Sequence, residues 1–204
     1  AMARKTKEEA RETRETILDA AIHVFFENGV SSSSLNDIAQ HAGVTRGAVY
    51  WHFKNKRDIF DALHDRLHQS FLDILAPRLD HVEADPVAQL KRLHLDLMQG
   101  IHADELKKRT LTVFLLKCEY SGDMKDFLMK QETSKLKSFQ LFVEFFRKAQ
   151  AQNLLPSRHP PDIVARACHC FMSGLVYEYL RFPGIIDFGK HVEPVIEAFY
   201  SRMN

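Results

Sequence analysis

Apolar residues recur at helical spacing along nearly the whole chain, while no Val/Ile/Thr run alternates with the period of a half-buried strand. Such a chain has few options other than an all-α fold. Ile17, Ala20, Ala21, Val24 and Phe25 mark a first helix over Lys7 to Asn28, stopped by Gly29. The run Ser31 to Ser34 then offers a cap for a helix of about eight residues carrying Leu35, Ile38 and Ala39, which Gly43 breaks. Thr45 caps a third short helix with Ala48, Val49, Trp51 and Phe53, so two short helices flank one glycine turn.

Longer helices follow. Ile59, Phe60, Leu63, Leu67, Phe71 and Leu75 define one over Lys56 to about Leu79, ending near Pro77. Pro86 opens a fifth, and Glu105 to Tyr120 reads as a sixth with Leu111, Phe114, Leu115 and Cys118. Met124 to Gln152 carries the stripe Phe127, Leu128, Leu136, Phe139, Phe142, Val143 and Phe146. The eighth runs from Pro160-Pro161 to Phe182, and the ninth from Phe188 to Met203. These spacings predict nine helices in two domains: residues 1–55, an N-terminal arm with a three-helix unit, and residues 56–204.

Apolar residues at 45% and charged residues at 27% of 204 match an ordinary globular protein and exclude disordered or collagen-like classes. No apolar run reaches the roughly 18 residues of a membrane span, and the start is charged, so the expected location is the cytoplasm. Ala1 ahead of Met2 reads as a remnant of tag removal. Cys118, Cys168 and Cys170 make neither an even disulfide set nor a Cys-x-x-Cys pair, and they read as thiols in core or pocket positions. The net charge of +1 hides two basic islands in the first quarter. One holds Arg4, Lys5 and Lys7, the other Arg46, Lys54, Lys56 and Arg57, and each is a candidate electrostatic footprint for nucleic acid.

The stretch Thr45 to Lys56 carries the chemistry. A helix that enters a major groove must be thin at its N-terminus; Gly47 and Ala48 remove bulk there, and the Thr45 hydroxyl and helix N-terminus favour an anionic oxygen. Arg46 can reach a guanine edge or a phosphate. Tyr50, one turn on, shares its face and offers a ring to a thymine methyl. His52 and Lys56 read as phosphate clamps, whereas Trp51 and Phe53 fit packing alone.

Phe25-Phe26-Glu27-Asn28-Gly29-Val30, Leu35-Asn36-Asp37-Ile38-Ala39, Ala42-Gly43-Val44 and Gly47 to Lys56, in that order, resemble the signature of the TetR family of transcriptional regulators. The opening Ala3 to Ala10 and the internal Lys117-Cys118-Glu119-Tyr120 resemble the AcrR-like branch, repressors of multidrug efflux operons. The resemblance implies a homodimer that reads a palindromic operator and is released when a small apolar or cationic effector enters the C-terminal domain. It places DNA contacts on Ser33, Ser34, Thr45, Arg46, Gly47, Tyr50, His52 and Lys56, with the arm residues Arg4 and Lys5 adding groove or phosphate contacts. It also implies a dimer bundle of the last two helices, which suits Tyr179, Leu180, Val192, Val195, Ile196 and Phe199. In the expected mechanism the long helix from Lys56 transmits the effector's shift to recognition helices about 34 Å apart.

The C-terminal half is rich in soft and aromatic side chains, which suit a cavity for varied ligands and equally suit ordinary core. The candidate effector residues are Phe71, Met98, Phe114, Phe139, Phe142, Phe171 and Tyr177, with His68, His94, Cys118, Ser173 and Glu178 as orienting groups. Glu178 is the candidate for a cationic effector. His64 and His68 lie four apart but lack further metal ligands, and Cys168 and Cys170 point apart on a helix, so no metal site and no cofactor are expected. No nucleophile with a base and no phosphate-binding glycine loop occurs, which argues against an enzyme. The alternative of another class is a helical small-molecule or metal sensor whose DNA binding is secondary.

Overall fold

The computed structural model describes residues 7–120 and 125–201. Its helices are α1 (Lys7–Asn28), α2 (Leu35–Ala42), α3 (Arg46–His52), α4 (Lys56–Leu79), α5 (Pro86–Ala103), α6 (Glu105–Leu116), α7 (Lys125–Ala151), α8 (Pro161–Arg181) and α9 (Glu193–Tyr200). A π-helical turn, Phe188–Val192, precedes α9, and no strand occurs among the described residues.

Local chemistry sets most of the helix ends. At α2, Ser34 Oγ accepts from the Asp37 amide at 3.2 Å while Asp37 Oδ2 accepts from the Ser34 amide at 2.9 Å, a reciprocal capping box. Gly43 closes α2 with φ of 65°, a left-handed conformation in which a Cβ would be strained. Asn55 Oδ1 accepts from the Asp58 amide and Asp58 Oδ2 from the Lys54 amide, both at 2.9 Å, which starts α4. Pro86 stands in the first turn of α5, where its missing N–H costs nothing, and Asp85 caps the Ala88 amide.

The chain forms two compact units. The first draws on Ala1–Leu67 and Leu106–Met129, the second on His68–Glu105 and Lys130–Asn204. The sequence reading sets its boundary at residue 55, but the partition is discontinuous because α6 and the start of α7 return to the first unit. Its core joins Ile17, Leu18 and Phe25 of α1 to Ile38 of α2, Val49 of α3, Ile59, Phe60 and Leu63 of α4, and Val113 and Phe114 of α6. The Phe60 ring lies 4.5 Å from that of Phe114 and 4.7 Å from that of Phe127. Truncating so enclosed a ring to alanine typically costs about 3–5 kcal/mol. Arg66 of α4 adds ion pairs to Asp19 at 2.6 Å and Glu15 at 3.2 Å on α1.

In the second unit, Leu90, Leu93 and Met98 of α5, Phe142, Phe145 and Phe146 of α7, Cys168 and Leu175 of α8, and Ile196 and Tyr200 of α9 are buried. Tyr200 Oη and His94 Nδ1 meet at 2.7 Å inside this core, where burial holds the His94 pKa down at about 3.

Three expected elements differ. The sixth helix stops at Leu116 rather than Tyr120, because Lys117 turns its Nζ to the Phe26 carbonyl at 2.5 Å and Tyr120 Oη donates to the Phe114 carbonyl at 2.5 Å. On α7, Leu128 and Leu136 are exposed, and Phe145 and Ala149 complete the buried face in their place. The ninth helix begins with the π turn, where Asp187 Oδ1 accepts from the Lys190 amide and Pro194 brings no N–H to a regular first turn.

Candidate nucleic-acid interface

In the first unit, α1 and the buried faces of α2 and α3 hold the third helix so that one side faces solvent. Val49 is fully buried and Phe53 nearly so, with the Arg14 guanidinium 5.2 Å above the Phe53 ring. The opposite side presents Thr45, Arg46, Gly47, Tyr50 and Trp51, all exposed. Thr45 Oγ1 accepts from the Ala48 amide at 3.1 Å and caps α3. A Cβ built on Gly47 would meet only Thr45 Oγ1, at 3.9 Å, so the fold itself does not require glycine there. Arg46 lies with its guanidinium 5.3 Å from the Tyr50 ring centre and donates from Nη2 to Tyr50 Oη at 3.3 Å. Cation, ring and hydroxyl therefore share one ordered patch on a helix whose N-terminus carries no acid in its first turn.

Trp51 departs from the sequence reading. It fits packing by composition, yet it is 73% exposed, its ring edge-on to His52 at 4.5 Å. It therefore adds an uncovered indole to the same exposed face as Arg46 and Tyr50. Nothing local to the motif distinguishes a covered from an uncovered indole; its position one residue beyond Tyr50 is the only signal the sequence carries.

Two expected contacts turn inward instead. Ser33 is buried, and its hydroxyl donates to the Gly29 carbonyl at 2.6 Å, just past the end of α1. Lys56 is half-buried and donates from Nζ to the carbonyls of Val30, Ser31 and Ser33 at 2.5, 3.0 and 2.9 Å. Its ammonium clasps the loop leading into α2, and desolvation lowers its pKa from the ordinary lysine value. Ser34 stays exposed but spends its hydroxyl in the capping box. His52 is half-buried at the end of α3, and Arg4 and Lys5 lie outside the described residues.

The expected effector residues are dispersed. Phe114 and Cys118 belong to the first unit, where Phe114 fills the cluster with Phe60 and Phe127. Within the second unit, His94 and Met98 are sealed in the core beside Phe142. Phe171 is covered by Phe199 in a parallel stack at 3.9 Å, and Phe139 lies under the Arg166 guanidinium at 4.8 Å. His68, Phe71 and Glu178 are half-buried, whereas Ser173 and Tyr177 are exposed. None of these lines either of two hollows found among the described residues of that unit. The larger, about 530 Å³, lies between α4 and α7, against Leu72, Asp73 and Ala76 on one side and Lys137 and Leu141 on the other. The smaller, about 280 Å³, lies where α4 turns into α5, among Arg78, His81, Gln89 and Arg92.

The expected dimer face also divides. Tyr179, Val192 and Ile196 are buried within the protomer, Tyr179 with its hydroxyl 2.7 Å from His102 Nδ1, so they stabilise the second unit itself. Leu180, Val195 and Phe199 remain half-buried. Outward, α8 presents Ile163 and Tyr177 with Ala167, Cys170, Ser173 and Gly174 between them. Cys168 is buried and Cys170 exposed, on opposite sides of the helix. His64, one of the two candidate metal ligands, is buried with its ring edge-on to Phe127 at 5.2 Å.

Residues 17–63 match the family model "Bacterial regulatory proteins, tetR family", and residues 85–204 match "MAATS-type transcriptional repressor, C-terminal region". The chain is 32% identical over 197 residues to the HTH-type transcriptional regulator TtgR of Pseudomonas putida, covering 97% of this chain and 94% of that one. Among solved structures it is similar to NalD, the secondary repressor of the MexAB-OprM multidrug efflux pump in Pseudomonas aeruginosa, at 31% identity and a TM-score of 0.80, over 96% of this chain and 97% of that one. It is also similar to a SmeT–triclosan complex at 28% identity and a TM-score of 0.82, over 93% and 90%; SmeT is the repressor of the Stenotrophomonas maltophilia multidrug efflux pump SmeDEF.

Proposed function

Because the chain belongs to the TetR family of bacterial regulatory proteins, we propose that it represses a multidrug efflux operon by binding a palindromic operator as a homodimer, and leaves the operator when a small effector binds its second unit. The observation that carries DNA binding is the outward patch of Arg46, Gly47, Tyr50 and Trp51 on a short helix with an exposed, acid-free first turn. Arg46 and Tyr50 read base edges, while Gly47 and the Thr45 cap let the helix backbone come close to phosphate.

Dimerisation uses the outward side of α8, where small residues allow close helix approach between Ile163 and Tyr177, together with the half-buried Leu180, Val195 and Phe199. Efflux control rests on the likeness to TtgR, NalD and SmeT, whose names or descriptions give them as regulators, the latter two of multidrug pumps. The effector acts by differential affinity: it lowers operator affinity only to the extent that it prefers the state that grips DNA poorly. α4 is one continuous helix from Lys56 to Leu79, with residues in each unit, and serves as the lever.

The test is fluorescence anisotropy with labelled DNA from upstream of the gene, at several salt concentrations, with and without a panel of apolar ligands. Tight binding that weakens steeply with salt and is reversed by a panel member supports the proposal. Equal affinity for random and upstream DNA at low salt, unaffected by every ligand, refutes it.

A further inference from the structure

The hollow between α4 and α7 has a chemical character of its own. Gln69, Leu72, Asp73 and Ala76 fall on one side of α4 at spacings of three and four, and Lys137 and Leu141 face them from α7. At about 530 Å³ it is the size of a small-molecule site, and Leu72, Ala76, Leu141 and the Pro77 ring make its floor apolar. Its charged groups, Asp73 and Lys137, stand on opposite walls and are of opposite sign.

On the α4 wall the charged group is an acceptor, the Asp73 carboxylate, beside the Gln69 amide. Gln69 Nε2 donates to Asp73 Oδ1 at 2.7 Å, which fixes the carboxylate and leaves its second oxygen open. Pro77, four residues on, has no N–H to give the Asp73 backbone carbonyl, so this helix turn lacks the donor a regular helix supplies. On the α7 wall Lys137 is exposed and has no hydrogen bond or ion pair, leaving an ammonium that can only donate.

We propose that this groove is the effector site, and that it takes amphipathic molecules with an apolar body, an acidic group at the Lys137 end and an amine or hydroxyl donor at the Asp73 end. The inference rests on the effector-released reading above and replaces the cationic effector expected from Glu178, which lines neither hollow. A purely cationic ligand meets Asp73 but also the unpaired Lys137, whereas a ligand bearing both groups satisfies each wall.

Isothermal titration of the full chain with four matched probes tests the assignment: biphenyl-4-carboxylate, 4-(aminomethyl)biphenyl, the zwitterion carrying both groups at opposite ends, and a neutral hydroxymethylbiphenyl. The zwitterion should bind tightest, at least about tenfold above the neutral probe. Lys137→Met should weaken the two acidic probes about fivefold and leave the amine probe unchanged or tighter, while Asp73→Asn should weaken the two amine-bearing probes. Both positions are exposed, so the variants keep the fold. A ranking that neither variant alters overturns the assignment. Operator anisotropy without probes separates the two layers: a protein that holds operator but takes up no probe refutes the groove alone. A protein that shows the probe ranking but holds no operator refutes the regulator and leaves the groove.

Discussion

Lys56→Met removes one ammonium and with it three hydrogen bonds to the carbonyls of Val30, Ser31 and Ser33. Hydrogen bonds to a charged donor contribute about 1.5–3 kcal/mol each, but the Ser31 carbonyl is at the surface and regains water, and the methionine keeps the apolar part of the stem packed. The net loss is therefore about 2–4 kcal/mol rather than the full sum. At about 2–4 °C per kcal/mol for a chain of this size, the melting temperature falls by roughly 5–15 °C. Differential scanning calorimetry reads this directly, and operator binding over a series of salt concentrations reads the rival role. A phosphate contact carries about one released counterion, so its loss flattens the slope of log K against log salt by about one and leaves the melting temperature alone. An unchanged melting temperature with a slope reduced by one refutes the clasp.

Three further outcomes are expected. Gly47→Ala leaves thermal stability equal or raises it by up to about 1 kcal/mol, since its Cβ meets only Thr45 Oγ1 at 3.9 Å, but it weakens operator binding about tenfold or more if the helix backbone abuts phosphate; equal affinity in a gel-shift titration contradicts that approach. Trp51 is the only tryptophan in the sequence and is 73% exposed, so the free protein should emit as a solvated indole and change in intensity on adding operator, and Trp51→Ala should shift stability by no more than about 0.5 kcal/mol in urea. His94, held at about 3 by burial against an ordinary unfolded value of about 6.5, stays neutral in the folded chain while the unfolded chain takes up a proton. Its contribution is complete above about pH 6.5 and is lost as pH falls toward 3, at up to about 1.4 kcal/mol per unit, so urea midpoints should decline over that window and His94→Gln should flatten the decline.

Features written within four residues of one another are the ones a reader of the sequence recovers. Ser34 with Asp37, Gly43, Thr45 and Pro86 set their helix ends by contacts with their own neighbours, and the short helices around the glycine turn follow from them. The family signature readable by eye rests on the same stretch, although residues 85–204 match a family model too. Partners far along the chain stay hidden: Lys56 is basic and next to a DNA-reading motif, yet its three acceptors lie 23 to 26 residues away and become its neighbours only when α1 and α4 pack. Apolar spacing says that Val192 and Ile196 share a helix face but not whether their own protomer or a second copy covers it, and the protomer does. Likewise an aromatic at 114 reads as C-terminal by position, whereas the chain folds α6 back onto Phe60. Which side chains line a hollow was the least legible, because core and cavity wall draw on the same residue types, and the hollow between α4 and α7 is marked by Asp73 and Lys137, which look like ordinary surface charges.

The pairing of Arg46 with Tyr50 bears on how such a protein searches a chromosome. A guanidinium held against its own tyrosine, by ring at 5.3 Å and by hydroxyl at 3.3 Å, must give up that contact, worth about 0.5–1 kcal/mol at an exposed site, before it can grasp a phosphate. If Arg46 reads the operator as proposed, sliding along arbitrary sequence meets less friction from this residue, and a site that offers a better acceptor in the right place draws the arginine out. On that proposal, the same contact that orders this face in solution separates travelling from stopping.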